Sequence, residues 1–169
     1  MDDVLGELLT VWTIRISLLL FAAGNLLRSR RPNRQPLARG LWTIGLLWLL
    51  VHIACAFHFY HQWSHRAALD HTAQQTAEQI GRSFAGGLYF NYVFASLWGF
   101  DVLWWWCKPE TYLRRSFALN VGIYGFLLFI VFQATVVFER GLTRWTAAAV
   151  FALMGLLFIR TRIETSSER

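Results

Sequence analysis

Five apolar runs, each long enough to cross a bilayer, constrain this chain more than any other feature. They cover Leu8 to Leu27, Leu41 to Trp63, Leu88 to Cys107, Phe117 to Phe138 and Leu142 to Ile159. At 1.5 Å per residue, roughly 18 to 23 helical residues match a hydrocarbon core of about 30 Å. A backbone in lipid must pair its polar groups internally, and single runs of this length do so as helices. The predicted fold is therefore an all-α integral membrane protein, one domain over 1–169 with five transmembrane helices. Only 15% of the residues are charged, against roughly 25% in soluble domains.

The loops set the expected orientation. Arg28 to Arg39 carries five arginines, Lys108 to Arg115 three basic residues, and the tail 160–169 three more. The opposite loops carry only Arg66, Arg82, Arg140 and Arg144. Basic residues concentrate on the cytoplasmic side. The N-terminus is thus expected outside, the C-terminus in the cytoplasm, and the segment 64–87 outside. The membrane is read as a bacterial inner (plasma) membrane. Trp12, Trp63 and Trp145 fall at one interface, and Trp42 and Trp104 to Trp106 at the other, as an aromatic belt would. The acidic start, Met1-Asp2-Asp3, and Arg15 within the first run point to a retained span rather than a cleaved leader.

Residues Ala67 to Ile80 are rich in Ala, Gln and Thr and contain no proline. They predict a short extracytoplasmic helix between spans two and three, serving as a lid or a docking segment. The net charge of +6 is a topology signal. No basic stripe with interleaved stacking residues exists, which excludes nucleic acid as a partner. Cys55 and Cys107 are expected about 20 Å apart in depth at 1.5 Å per residue, beyond the roughly 7 Å reach of a disulfide.

All five histidines lie between His52 and His71. On a continuous helix His58, His61 and His65 follow i, i+3, i+7 and share an arc of roughly 60°. His61 and His65 form H-x-x-x-H, the spacing with which one helix offers two imidazoles to one metal ion. His71, Asp70 or Glu78 would complete the shell. Asn91 and Gln133 reach about the same depth as His58 at 1.5 Å per residue, where they would orient the imidazoles. Ligation by nitrogen without thiolate suits zinc, copper or iron. Haem fits less well, because no other span offers a histidine as second axial ligand. The competing reading is interfacial filler, since histidine and aromatic tips meet water where a helix leaves the bilayer.

Deeper in the membrane, ionisable side chains face the bundle interior and pair. Arg15 and Asp101 are expected to form a structural clamp, and a proton path through His52 and Asp101 is the alternative. No H-E-x-x-H, phosphate-binding glycine loop, G-x-S-x-G or C-x-x-C-H occurs, so no reaction is specified. The leading expectation is a membrane protein with a histidine-lined metal site at the outer face. The alternatives are a non-catalytic or assembly subunit, partnered by other membrane subunits or a second copy, and a small transporter or proton-conducting protein.

Overall fold

The computed structural model describes residues 2–30, 34–138, 141, 144, 145, 148, 149, 151 and 152. Every regular element among them is helical. The order is α1 (Asp2–Arg30), α2 (Gln35–Phe59), α3 (His65–Ile80), α4 (Gly87–Cys107), α5 (Pro109–Leu113) and α6 (Phe117–Phe132), which continues as a π-helical turn, Gln133–Val137. Three helical stretches are long and apolar enough to cross a membrane: Val4–Arg28, Gln35–Phe59 and Phe117–Val137. Helix α4, which carries Asn91, Asp101 and four tryptophans, is also 21 residues long. The expected fifth span, Leu142 to Ile159, and the tail 160–169 lie largely outside the described residues.

Helix α2 begins earlier and ends sooner than the apolar run suggests. Pro36 sits in its first turn, where backbone N–H groups have no intrahelical partner and proline costs little. The helix ends at Phe59 because Gln62 and Trp63 adopt left-handed backbone angles, with φ of 48° and 59°. The Trp63 N–H closes this corner on the Phe57 carbonyl at 2.9 Å. Ser64 then starts α3, its hydroxyl accepting the Ala67 N–H at 3.2 Å, as N-cap serines do. Gly81, at φ 71°, ends α3.

The chain divides into two compact units, Met1–Leu127 and Leu128–Arg169. In the first, α1 and α2 form an antiparallel hairpin with small residues at its contact. The Ser17 hydroxyl donates to the Gly45 carbonyl at 2.8 Å. A side chain at Gly24 would meet Trp42 and Ala38, and one at Gly45 would meet Trp98 and Leu20. Small residues let helices approach where lipid gives no hydrophobic drive between them. Phe21, Trp42, Phe94, Trp98 and Tyr124 fill the core beside this hairpin, with neighbouring ring centres 4.9 to 6.5 Å apart. Trp42 is therefore a core residue rather than the interfacial anchor expected of it, as is Trp105. Trp12, Trp63, Trp106 and Trp145 are exposed. Both cysteines are free.

In the second unit the π-helical turn misaligns the carbonyls that would continue α6. Arg144 takes two of them, donating from Nε to the Val136 oxygen at 2.6 Å and from Nη2 to the Val137 oxygen at 3.1 Å. The Thr135 hydroxyl donates to the Val131 carbonyl, and Phe132 meets Phe151 edge-on at 5.4 Å.

Candidate functional site

Two polar clusters sit at opposite ends of the first unit. One is the histidine rim, built by the end of α2, the corner after it, α3 and the start of α4. The other surrounds Asp101.

The corner at Gln62–Trp63 breaks the single helical face expected for His58, His61 and His65. His58 is exposed and packs its ring on Phe59 at 4.7 Å and toward Trp63 at 6.5 Å. His61 leaves the helix and turns toward α3, where its ring lies 5.2 Å from that of His71. His65 opens α3 and faces α4 instead, with Nδ1 3.0 Å from the Tyr92 hydroxyl and its ring stacked on Tyr92 at 5.8 Å. Tyr89 completes that trio at 6.1 Å from His65.

The fold thus brings together His61 with His71, and His65 with Tyr92 and Tyr89. Among the described residues, no three His, Cys, Asp or Glu side chains gather closely enough to hold one metal ion. Asp70 is exposed, and Glu78 is exposed while accepting a bond from Gln74 within α3 at 3.0 Å. Asn91 is exposed on α4, and Gln133 opens the π-helical turn of the second unit. Burial first, and the neighbouring His71 second, lower the pKa of His61 below its ordinary 6.5. Its imidazole is therefore neutral, the form that ligates metals, over a wider pH range than that of an isolated histidine. Tyr89 and Tyr92 were not anticipated. Their i, i+3 spacing at the start of α4 placed two phenols on one face, but nothing local tied that face to His65.

The Asp101 cluster departs further from expectation. The carboxylate is fully buried, and its partner is Arg115, not Arg15. Oδ1 accepts from Arg115 Nη1, while Oδ2 accepts from Trp42 Nε1 at 3.0 Å, the Tyr112 hydroxyl at 2.9 Å and the Tyr124 hydroxyl at 3.0 Å. The two phenol oxygens lie 2.7 Å apart, so the hydroxyl protons are shared among three oxygens. Trp105 stacks on Tyr112 with ring centres 4.6 Å apart and closes the floor.

Arg15 and His52 are held elsewhere. Arg15 lies over the Trp12 ring at 5.5 Å. His52 donates from Nδ1 to the Thr10 carbonyl at 2.9 Å. The reason is the level each helix reaches. Trp42 binds Asp101 and packs against Gly24 of α1. Arg15 is nine residues before Gly24, about 13 Å away at 1.5 Å per residue. Arg115 is delivered instead by the short α5, which folds back beneath α4. Burial raises the pKa of Tyr112 far above the ordinary phenol range, and Tyr124 and Asp101 add to the shift. The hydroxyl therefore stays protonated as a donor. For Arg115, burial alone would lower the pKa, but Asp101 and Tyr124 outweigh it and the pKa rises. One carboxylate, accepting from four side chains, so joins α2, α4, α5, the turn after it and α6.

Comparison with family models, with curated proteins and with solved structures finds no match to this chain.

Proposed function

We propose that this chain is a five-span membrane protein, N-terminus outside and C-terminus in the cytoplasm, that binds a transition-metal ion at its outer rim. The observation that carries this reading is the His61–His71 pair, two imidazoles from different elements with ring centres 5.2 Å apart. Two imidazole nitrogens supply half of a tetrahedral shell. Water, Asp70 or a second copy of the chain would supply the rest. His65, fixed by Tyr92, and His58 line the approach. Zinc, copper and iron all accept such nitrogen ligation. The orientation is supported within the first unit. The last turn of α1, the first turn of α2 and the last turn of α4 share the arginine-rich end, whereas α3 lies at the other.

The test is elemental analysis of the full chain purified in detergent, wild type beside a His61→Ala, His71→Ala variant. The wild type should retain a transition metal and the variant should lose it. Wild-type content below about a tenth of an equivalent, after purification without chelator, would end the metal reading.

A further inference from the structure

At the arginine-rich end, positive charge exceeds what the neighbouring carboxylate neutralises. Arg28, from the last turns of α1, and Arg115, from the turn before α6, border one ring. Their guanidinium carbons lie 3.5 and 5.1 Å from the centre of Tyr124. Asp101 is the carboxylate in this cluster, and it already accepts from Arg115, Trp42, Tyr112 and Tyr124. Two like charges beside one ring in a low-dielectric setting repel unless a second anion joins them.

The donors around that ring are not all used. The Arg115 side chain is 1% exposed, yet its Nη2 has no hydrogen-bond partner. Its Nε donates to Asn120 Oδ1 at 2.6 Å. That bond fixes the amide, because only the carbonyl oxygen of Asn120 can accept, and leaves its NH2 group as a donor that Arg115 does not use. An unpaired N–H edge, an amide NH2 and a half-buried second guanidinium form an array of donors.

We propose that Arg28, Arg115 and Asn120 hold a phosphate anion, either the phosphodiester of an anionic lipid headgroup or inorganic phosphate. Arginine forks suit phosphate oxygens in bidentate geometry. The site lies at the helix ends, the headgroup level of a bilayer, where basic residues attract anionic lipid. Leu113 and Phe117, two residues either side of Arg115, are 57% and 69% exposed and would lie against acyl chains. This inference does not depend on the histidine rim.

The experiment is native mass spectrometry of the full chain from nanodiscs containing equal phosphatidylglycerol and phosphatidylcholine, with and without added inorganic phosphate. The wild type should retain phosphatidylglycerol preferentially. Arg28→Gln should reduce that preference about fivefold, as expected for one arginine near an anionic surface. Arg28→Lys, which keeps the charge but loses the planar fork, should fall between, and it serves if Arg28→Gln does not fold by circular dichroism. Arg82→Gln, at the exposed opposite end, should change nothing. Retention unaffected by inorganic phosphate identifies the lipid headgroup as the source. A wild-type phosphate adduct that displaces lipid and is lost in Arg28→Gln identifies the free ion. Equal retention of both lipids with no phosphate adduct overturns the proposal, and so does an equal loss in Arg82→Gln.

Discussion

The two polar clusters of the first unit obey opposite rules. Around Asp101 burial is complete, every carboxylate oxygen is engaged, and the donors come from α2, α5, α6 and the turn between the last two. Around His61 and His71 the side chains are partly in water, the imidazoles touch in pairs, and ligand capacity is left over. A buried charge costs several kcal/mol unless it is paired and hydrogen-bonded, and the Asp101 carboxylate meets that demand with Arg115 and three further donors. The rim carries no such penalty and can keep nitrogen lone pairs unspent. Stabilising pairing is therefore concentrated around Asp101 rather than around the histidines.

The largest test of that division is Asp101→Ala. It leaves Arg115 buried without its counter-charge and strands three further donors. Unfolding in detergent should show a loss of about 3 to 5 kcal/mol, the usual cost of breaking a buried pair. A loss under about 1 kcal/mol, typical of exposed pairs, would erase the contrast. Next comes Gly45→Ala, beside the same core. The added methyl would lie 3.0 Å from the Trp98 ring, and overpacking of this kind costs about 1 to 3 kcal/mol. An unchanged melting curve would mean that Trp98 yields freely.

The rim should respond to pH. The folded pKa of His61 is depressed below 6.5, so between the two values the opened state binds more protons than the closed one. Closure is thus fully favoured above pH 6.5 and weakens as pH falls through the folded value, with His71 repelling the new charge. Amide exchange at the start of α3, corrected for its intrinsic pH dependence, should be faster at low pH, and His61→Gln should flatten the difference. A pH-independent opening equilibrium in the wild type would show that the imidazole pair does not hold the corner to α3. The smallest effect belongs to Arg15→Gln. With its guanidinium over Trp12 rather than on Asp101, the change should stay within about 0.5 kcal/mol. A loss as large as that of Asp101→Ala would restore the Arg15–Asp101 pairing that the helix levels exclude.

The long helices among the described residues were legible because extended apolar runs leave the backbone one way to pair itself in lipid. So was the short α3, rich in Ala, Gln and Thr and free of proline, although it starts at His65 rather than Ala67. The corner between α2 and α3 was not, because Gln62 and Trp63 take left-handed angles without a glycine to announce them. That one hidden break separated His58, His61 and His65 and paired His61 with His71 instead. Asp101 was recognisable as needing a partner, but its choice depended on the register between α1 and α2, which no single segment encodes. Arg115 looked like one more topology charge until α5 folded it back onto the carboxylate.

The left-handed pair at Gln62 and Trp63 has a consequence for the rim as a device. A non-glycine residue in that conformation costs about 1 kcal/mol or more, so the surrounding turn must over-determine it. The backbone course from His61 into α3 is then set by the main chain. A turn so set by its backbone would lower the ordering cost of binding for the ion proposed above.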